Sequence, residues 1–384
     1  MAPHRTTTSI HVAVLDTDVP VPQVYASRGL YSSQFRVLLQ AAAARLNARG
    51  QLLNNSNVEI HTTAFDVVGG SLPPLELLRK KPRGCTGAEE GYGPLGPIDA
   101  ILITGSSASA YELDKYPWIR PLQAFIQTVY AEYPEVKIFG SCFGHQIVAQ
   151  ALLSHHYPRL FQESAGHVED EKKKKGYVSV AACPSGYEIG IEPIALEPAF
   201  TSVFPPLKRL SHSDGKLRIQ LIHGDRVMPV SSLDTPSWDP AQSTATSSTN
   251  FLPTPWINIG STTKSPIQGL YHPARVLTYQ GHFEFDTFIN RETCLEFGRR
   301  WGWSETDVAA GLDRIGPLPA PGEEDNDDAK VAAEVVIMFL AGEDRDVSTP
   351  ARTAVSEGSE GESTVADSHS GLITPPLMET DVVR

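Results

Sequence analysis

Between residues 10 and 153, short apolar runs alternate with stretches of helical period, and that alternation leaves few folds open. Ile10 to Leu15, in IHVAVLD, is short, rich in β-branched residues and closed by Asp16, as a strand buried on both faces should be. SSQFRVLLQAAAARLNARG then sets Phe35, Leu38, Leu39, Ala42 and Leu46 at helical spacing and stops at Gly50. VEIHTTAFDV reads as a second strand. DAILIT, Asp99 to Thr104, reads as a third and turns at Gly105. WIRPLQAFIQTVYAEY is a helix with Pro121 near its start, Val136 to Phe139 a short strand, and Ile147 to Leu153 a helix. This repetition predicts a parallel sheet with helices over both faces.

The second half is richer in strands. Tyr177 to Ala182, Tyr187 to Leu196, Leu217 to Ile222, Trp256 to Ser261, Ile267 to Tyr271 and Arg275 to Tyr279 are the candidates, and Ile289 to Trp301 is a helix. Loop insertions rich in Gly, Pro, Ser or Thr are expected at about 80–97 and 231–255. Residues 1–9 are read as a flexible N-terminus and 10–304 as one domain. Residues 305–384 are read as an acidic, mostly disordered tail with one helix at 330–340. Charge supports that division: 18 acidic and 5 basic residues lie from Glu305 to Arg384, leaving 27 of each sign in the first 304. A neutral body gives no reason to expect nucleic-acid binding. No run approaches a membrane span, and no signal-peptide core follows Met1. Cys85, Cys142, Cys183 and Cys294 form neither a CxxC pair nor a disulfide framework, so no metal is expected. A cytoplasmic setting, which keeps thiols reduced, is the expectation.

Lys137-Ile-Phe-Gly-Ser-Cys-Phe-Gly-His-Gln146 is the most informative stretch. A strand runs into Gly140, a small residue sits at Ser141, Cys142 follows, and Gly144 comes two residues later. This is the G-x-nucleophile-x-G pattern of a strand-to-helix elbow. Glycines flank the turn because side chains there would clash. The next helix sets the positive end of its dipole beside the sulfur, favouring thiolate. Read alone, the same pattern also suits a structural cysteine in a glycine turn. A thiol nucleophile needs a base, and Tyr279-Gln-Gly-His-Phe-Glu-Phe-Asp286 offers His282 with Glu284 two residues on. Glu284 can fix the imidazole tautomer and leave the other nitrogen for Cys142. Taken alone, an HxE on a surface turn remains open.

Together these segments resemble the class I glutamine amidotransferase family over roughly residues 10 to 300. Gly140, Cys142, Gly144 and Gln146 match its G-x-C-x-G-x-Q elbow. Gln280, His282 and Glu284 match Q-x-H-P-E, with Phe283 in place of the proline, a change expected to loosen or redirect that turn. Ile222-His-Gly-Asp-Arg-Val227 and Ile103-Thr-Gly-Ser106 are similar to two further segments. The resemblance implies an α/β fold: a three-layer flavodoxin-like sandwich with a central mostly parallel sheet and a nucleophile elbow, ahead of the acidic tail. It also implies catalytic Cys142, His282 and Glu284, and oxyanion donors at Gly105 and Phe143. Gln146, Gly224 and Asp225 would bind the glutamyl group. The implied substrate is glutamine or another small-molecule γ-glutamyl compound, cleaved through a γ-glutamyl thioester without a cofactor. Three readings follow: a stand-alone γ-glutamyl hydrolase or peptidase, a glutaminase subunit serving a synthetase partner, or a non-catalytic module.

Overall fold

The computed structural model describes residues 6–52, 56–83, 95–154, 176–212, 214–230 and 251–344. Much of the expected insertions (84–94 and 231–250) lies outside that set, as do residues 1–5 and the tail from 345 onward.

Strand β1 (Thr7–Asp16) leads through α1 (Pro22–Arg28) and α2 (Tyr31–Arg49) to β2 (Asn57–Asp66). Then come β3 (Ala100–Ile103), α3 (Ile119–Glu132), β4 (Lys137–Ser141) and α4 (Phe143–Leu153). The second half holds β5 (Val178–Ala182), β6 (Glu188–Ile191), β7 (Ile194–Leu196), α5 (Pro198–Thr201) and β8 (Lys216–Leu217). It continues with β9 (Gln220–His223), β10 (Asp225–Pro229), β11 (Ile257–Asn258), β12 (Gly260–Ser261), β13 (Leu270–His272) and β14 (Val276–Tyr279). Helices α6 (Thr287–Trp301), α7 (Glu305–Ile315) and α8 (Ala329–Ala341) complete the described chain.

The central sheet has the order β11-β13-β14-β4-β3-β1-β2. Its pairs from β14 to β2 are parallel, and β13 and β11 add antiparallel pairs at one edge. Period two sorts the side chains. Ile10, Val12, Val14, Leu102 and Phe139 face one layer with residues of α2 and α8. Ala13, Leu15, Ile101, Ile103 and Ile138 face the other with α3 and α4. This is the expected three-layer α/β sandwich. The register puts Ile103 beside Gly140, and Ser141 beside Tyr279. The segments leaving β3, β4 and β14 therefore emerge together at the carboxyl ends of parallel strands, where open α/β sheets build their sites.

Several boundaries differ from expectation, three of them for reasons visible in the contacts. β1 starts at Thr7, pairing with Asn57, so the ordered chain reaches into the stretch read as flexible. The expected strand 187–196 divides into β6 and β7 around Pro193, which cannot donate to a ladder. The expected strand 217–222 divides because Arg218 is recruited elsewhere: its N–H donates to Asp328 Oδ2 at 2.9 Å, and its carbonyl accepts from Asp328 N at 2.7 Å.

The larger difference concerns the end of the body, which the sequence reading closed at residue 304. Helix α8 is a core helix: Val335, Val336, Ile337, Phe339 and Leu340 are buried in the layer shared with α2. Its one interior charge, Glu334, is met by Arg45 and Arg49 of α2, each at 2.9 Å, and by Arg209. Asp344, fully buried, accepts from Ala274 N at 2.8 Å and from the Tyr271 hydroxyl at 3.0 Å, tying the described C-terminal end to the β13–β14 turn. No helix among the described residues is long and apolar enough to cross a membrane.

Candidate active site

The elbow is built as its glycines require. Cys142 has φ 51° and ψ −103°, a backbone region that L residues rarely occupy. A Cβ on Gly140 would lie 2.5 Å from the Gly144 carbonyl, and one on Gly144 would lie 2.3 Å from the Ile103 carbonyl. No side chain fits at either position. The Cys142 N–H donates to the Tyr279 carbonyl at 2.8 Å, so the neighbouring strand holds the turn. Helix α4 begins at Phe143, placing its N-terminal dipole end beside the sulfur.

His282 and Glu284 come together from the segment after β14. The imidazole Nδ1 lies 2.8 Å from Glu284 Oε1, both side chains are buried, and the imidazole lines the same crevice as the Cys142 side chain. Burial alone would lower the His282 pKa. The Cys142 sulfur and the Glu284 carboxylate outweigh it and raise that pKa well above the ordinary imidazole value. The ring stacks on Phe285 with centroids 4.0 Å apart. The His282 N–H donates to the Gln220 carbonyl on β9 at 2.7 Å.

Phe283 does not loosen this turn. It is buried in the core with its ring edge-on to Phe35, Phe139 and Tyr279, centroids 5.5–5.7 Å apart. An aromatic anchor fixes the backbone between His282 and Glu284, and the proline is not needed for that.

Two contacts carry roles that the sequence reading left unassigned. The Ser141 hydroxyl lies 3.1 and 3.2 Å from the two Glu284 oxygens and donates to that carboxylate. The Gln280 side-chain amide donates to Cys142 Sγ at 3.6 Å and its oxygen accepts from Gln146 Nε2 at 3.2 Å. The sequence alone marks Ser141 only as a small residue and Gln280 only as a motif match. A residue beside a nucleophile, and one at the strand end facing it, were the available signals. Thr17 and Asp18, beyond β1, were also missed. The Thr17 hydroxyl lies 3.1 Å from the Gly105 carbonyl, and Asp18 Oδ2 accepts from Ser107 N at 2.8 Å, so together they pin the turn after β3.

That turn brings Gly105 against both partners. A Cβ there would meet His282 Cε1 at 3.0 Å and Cys142 Cβ at 3.6 Å. Gln146, Gly224 and Asp225 line one crevice beside Cys142. Gln146 Nε2 also donates to the Asp225 carbonyl at 3.1 Å, and the Tyr111 hydroxyl donates to Asp225 Oδ1 at 3.1 Å. His223 also lines this crevice, but its Nε2 lies 3.1 Å from buried Glu188 and its Nδ1 donates to the Asp225 carbonyl at 2.9 Å. Burial would raise the Glu188 pKa, yet His223, Thr262 and Ser265 hold it at about 2. No group of three His, Cys, Asp or Glu side chains among the described residues is placed to hold a metal.

No protein-family model matches the chain. Among curated proteins, it is 26% identical over 279 residues to a Schizosaccharomyces pombe protein named, provisionally, as glutamine amidotransferase-like; the match covers 73% of this chain and 81% of that one. The chain is similar to proteins named as glutamine amidotransferase-like. A Saccharomyces cerevisiae protein, named provisionally as a glutamine amidotransferase, is 27% identical over 199 residues, spanning 51% of this chain and 57% of its own length. Solved glutamine amidotransferases from Thermotoga maritima and Methylobacillus flagellatus align at TM-scores of 0.42 and 0.43, with 14% and 11% identity. They cover 88% and 91% of this chain and 99% of each solved chain. Residues 137–146 and 279–286 are the part of this chain where a thiol, an imidazole and a carboxylate meet in series.

Proposed function

We propose that the chain hydrolyses a γ-glutamyl amide bond, acting alone, with Cys142 as nucleophile, His282 as acid and base, and Glu284 orienting the imidazole. The observation that carries this reading is the continuous contact from Glu284 through His282 to a cysteine held at positive φ on a strand-to-helix elbow. A carboxylate behind the ring stabilises the imidazolium, and the imidazolium and helix N-terminus stabilise the thiolate.

In the reaction, the Cys142 thiolate attacks the γ-carbonyl carbon and a C–S bond forms. The oxyanion is stabilised by the N–H groups of Gly105 and Phe143. The tetrahedral intermediate collapses with cleavage of the C–N bond as protonated His282 gives its proton to the leaving nitrogen. Water then attacks the thioester, neutral His282 takes its proton, and the C–S bond breaks to release the γ-carboxyl group and restore the thiolate. Gln146, Gly224 and Asp225 receive the amino and carboxylate ends of the glutamyl group.

Glutamate release from L-glutamine and from γ-glutamyl dipeptides by the purified chain tests the reading. Turnover that disappears in Cys142→Ala, with the fold retained by circular dichroism, supports it. Equal turnover by Cys142→Ala contradicts it.

A further inference from the structure

Two crevices meet at Cys142, and their linings differ in a way that separates acyl group from leaving group. One contains Gln146, Gly224 and Asp225 but not His282. The other contains His282 and Gly105, is walled by Tyr31, Phe285 and Phe297, and reaches Arg300 on α6. A general acid must face the nitrogen that it protonates. On the γ-glutamyl hydrolase reading, on which this inference rests, the departing amine therefore lies in the second crevice.

The lining of that crevice describes the amine. Ammonia needs no ring walls, whereas an apolar side chain gains by leaving water against Tyr31 and Phe285, which line this crevice alone, and Phe297, which borders both. Arg300 adds a charge preference. Its Nε donates to Glu296 Oε1 at 2.7 Å, which steadies the side chain. Glu296 is shared with Arg299, whose Nη2 and Nε lie 2.6 and 2.8 Å from its two oxygens, so Glu296 engages Arg300 through Nε alone. The terminal nitrogens of Arg300 have no protein acceptor among the described residues. The crevice also contains Asp18, but its carboxylate is occupied by Ser107 N at 2.8 Å, Ser107 Oγ at 2.7 Å and Val19 N at 2.8 Å. A planar guanidinium with two free nitrogens suits a carboxylate.

We propose that the second crevice binds the leaving group as an apolar α-amino acid with a free carboxylate held by Arg300, so that the substrate is a γ-glutamyl dipeptide ending in an apolar residue. Arg300 is then a specificity-determining residue. The experiment compares γ-glutamyl-leucine, its C-terminal amide and L-glutamine as substrates of the full chain and of Arg300→Met and Arg300→Lys. The expected result is kcat/KM about tenfold or more higher for the free acid than for the amide or glutamine, as a charge-assisted hydrogen bond would give. Arg300→Met brings the acid-to-amide ratio close to one through a higher KM for the acid, and Arg300→Lys restores part of it. Equal turnover of acid and amide by the unmodified chain overturns the proposal. So does a ratio unchanged in Arg300→Met, or turnover of glutamine alone, and in each case the nucleophile assignment stands. Release of glutamate from none of the three removes the hydrolase reading and this inference with it.

Discussion

At the scale of single residues, the site depends on a short chain of contacts in which each group sets the state of the next. Ser141 donates to Glu284, Glu284 meets His282, and His282 meets Cys142, while Gln280 donates to the sulfur from another side. Groups acting in series are not additive, so His282→Ala should cost nearly as much turnover as Cys142→Ala, and Glu284→Gln should cost less. Ser141→Ala removes one hydrogen bond to the buried carboxylate, a loss of about 1 kcal/mol, and should lower kcat about fivefold with KM little changed. A kcat equal to that of the unmodified chain would show that Ser141 does not position Glu284. The acid–base pair itself was legible, because His282 and Glu284 stand two apart and the glycines mark the elbow. The Ser141–Glu284 contact was not. It depends on β4 lying beside β14 in one particular register, with Ser141 opposite Tyr279, and no local pattern reports that.

At the scale of elements, strands with long apolar runs are legible close to their bounds, and shorter strands only as parts of longer ones. β1, β3 and β4 carry uninterrupted apolar runs and appear close to where the sequence places them. β8, β11 and β12 are two residues each, too short to show alternation, so Trp256 to Ser261 reads as one strand where the structure has β11 and β12, and Leu217 to Ile222 runs β8 and β9 together. Glu188 illustrates how those small pieces are held: Ser265 Oγ donates to its carboxylate at 2.7 Å and Gln268 Nε2 at 2.9 Å, while His223 reaches it from β9. Its pKa is about 2 in the fold against an ordinary value of 4.5, so its carboxylate favours folding above pH 4.5 and that contribution disappears as pH falls through 2. Glu188→Gln should therefore destabilise the chain at neutral pH by about 2–3 kcal/mol. The gap from the unmodified chain, followed by chemical denaturation, should narrow as the pH is lowered from 4.5 to 2. A gap independent of pH would contradict the ionised assignment. The Phe283 anchor makes a separate prediction: Phe283→Ala opens a cavity among three rings and should cost about 3–5 kcal/mol. A variant with an unchanged thermal midpoint would mean that the turn is held by other contacts.

At the scale of the whole molecule, the three-layer sandwich needs α8, which the sequence reading left in the tail. The sequence places a helix at 330–340, where α8 lies, but the acidic run EEDNDD before it and the Ser- and Glu-rich stretch beyond assign it to the tail, whereas its buried face completes the layer beside α2. Val335, Val336, Ile337, Phe339 and Leu340 are each worth about 1.5–3 kcal/mol on burial. A chain ending at Gly322 should accordingly fail to unfold cooperatively, and a sharp transition from that truncation would remove α8 from the core account. The most direct test of the central claim also concerns the whole chain, because four cysteines compete in it. Cys142, Cys183 and Cys294 are all buried and free of disulfides, and burial pushes the Cys294 thiol pKa up. Exposure therefore does not favour Cys142; its reactivity has to come from His282 and the helix N-terminus. The measurement is labelling of the intact protein with a glutamine-mimicking electrophile at neutral pH, located by peptide mass spectrometry. The account predicts modification of Cys142 well ahead of Cys85, Cys183 and Cys294, and much slower modification in His282→Ala. Labelling spread evenly over the cysteines, or unaffected by loss of His282, would contradict it.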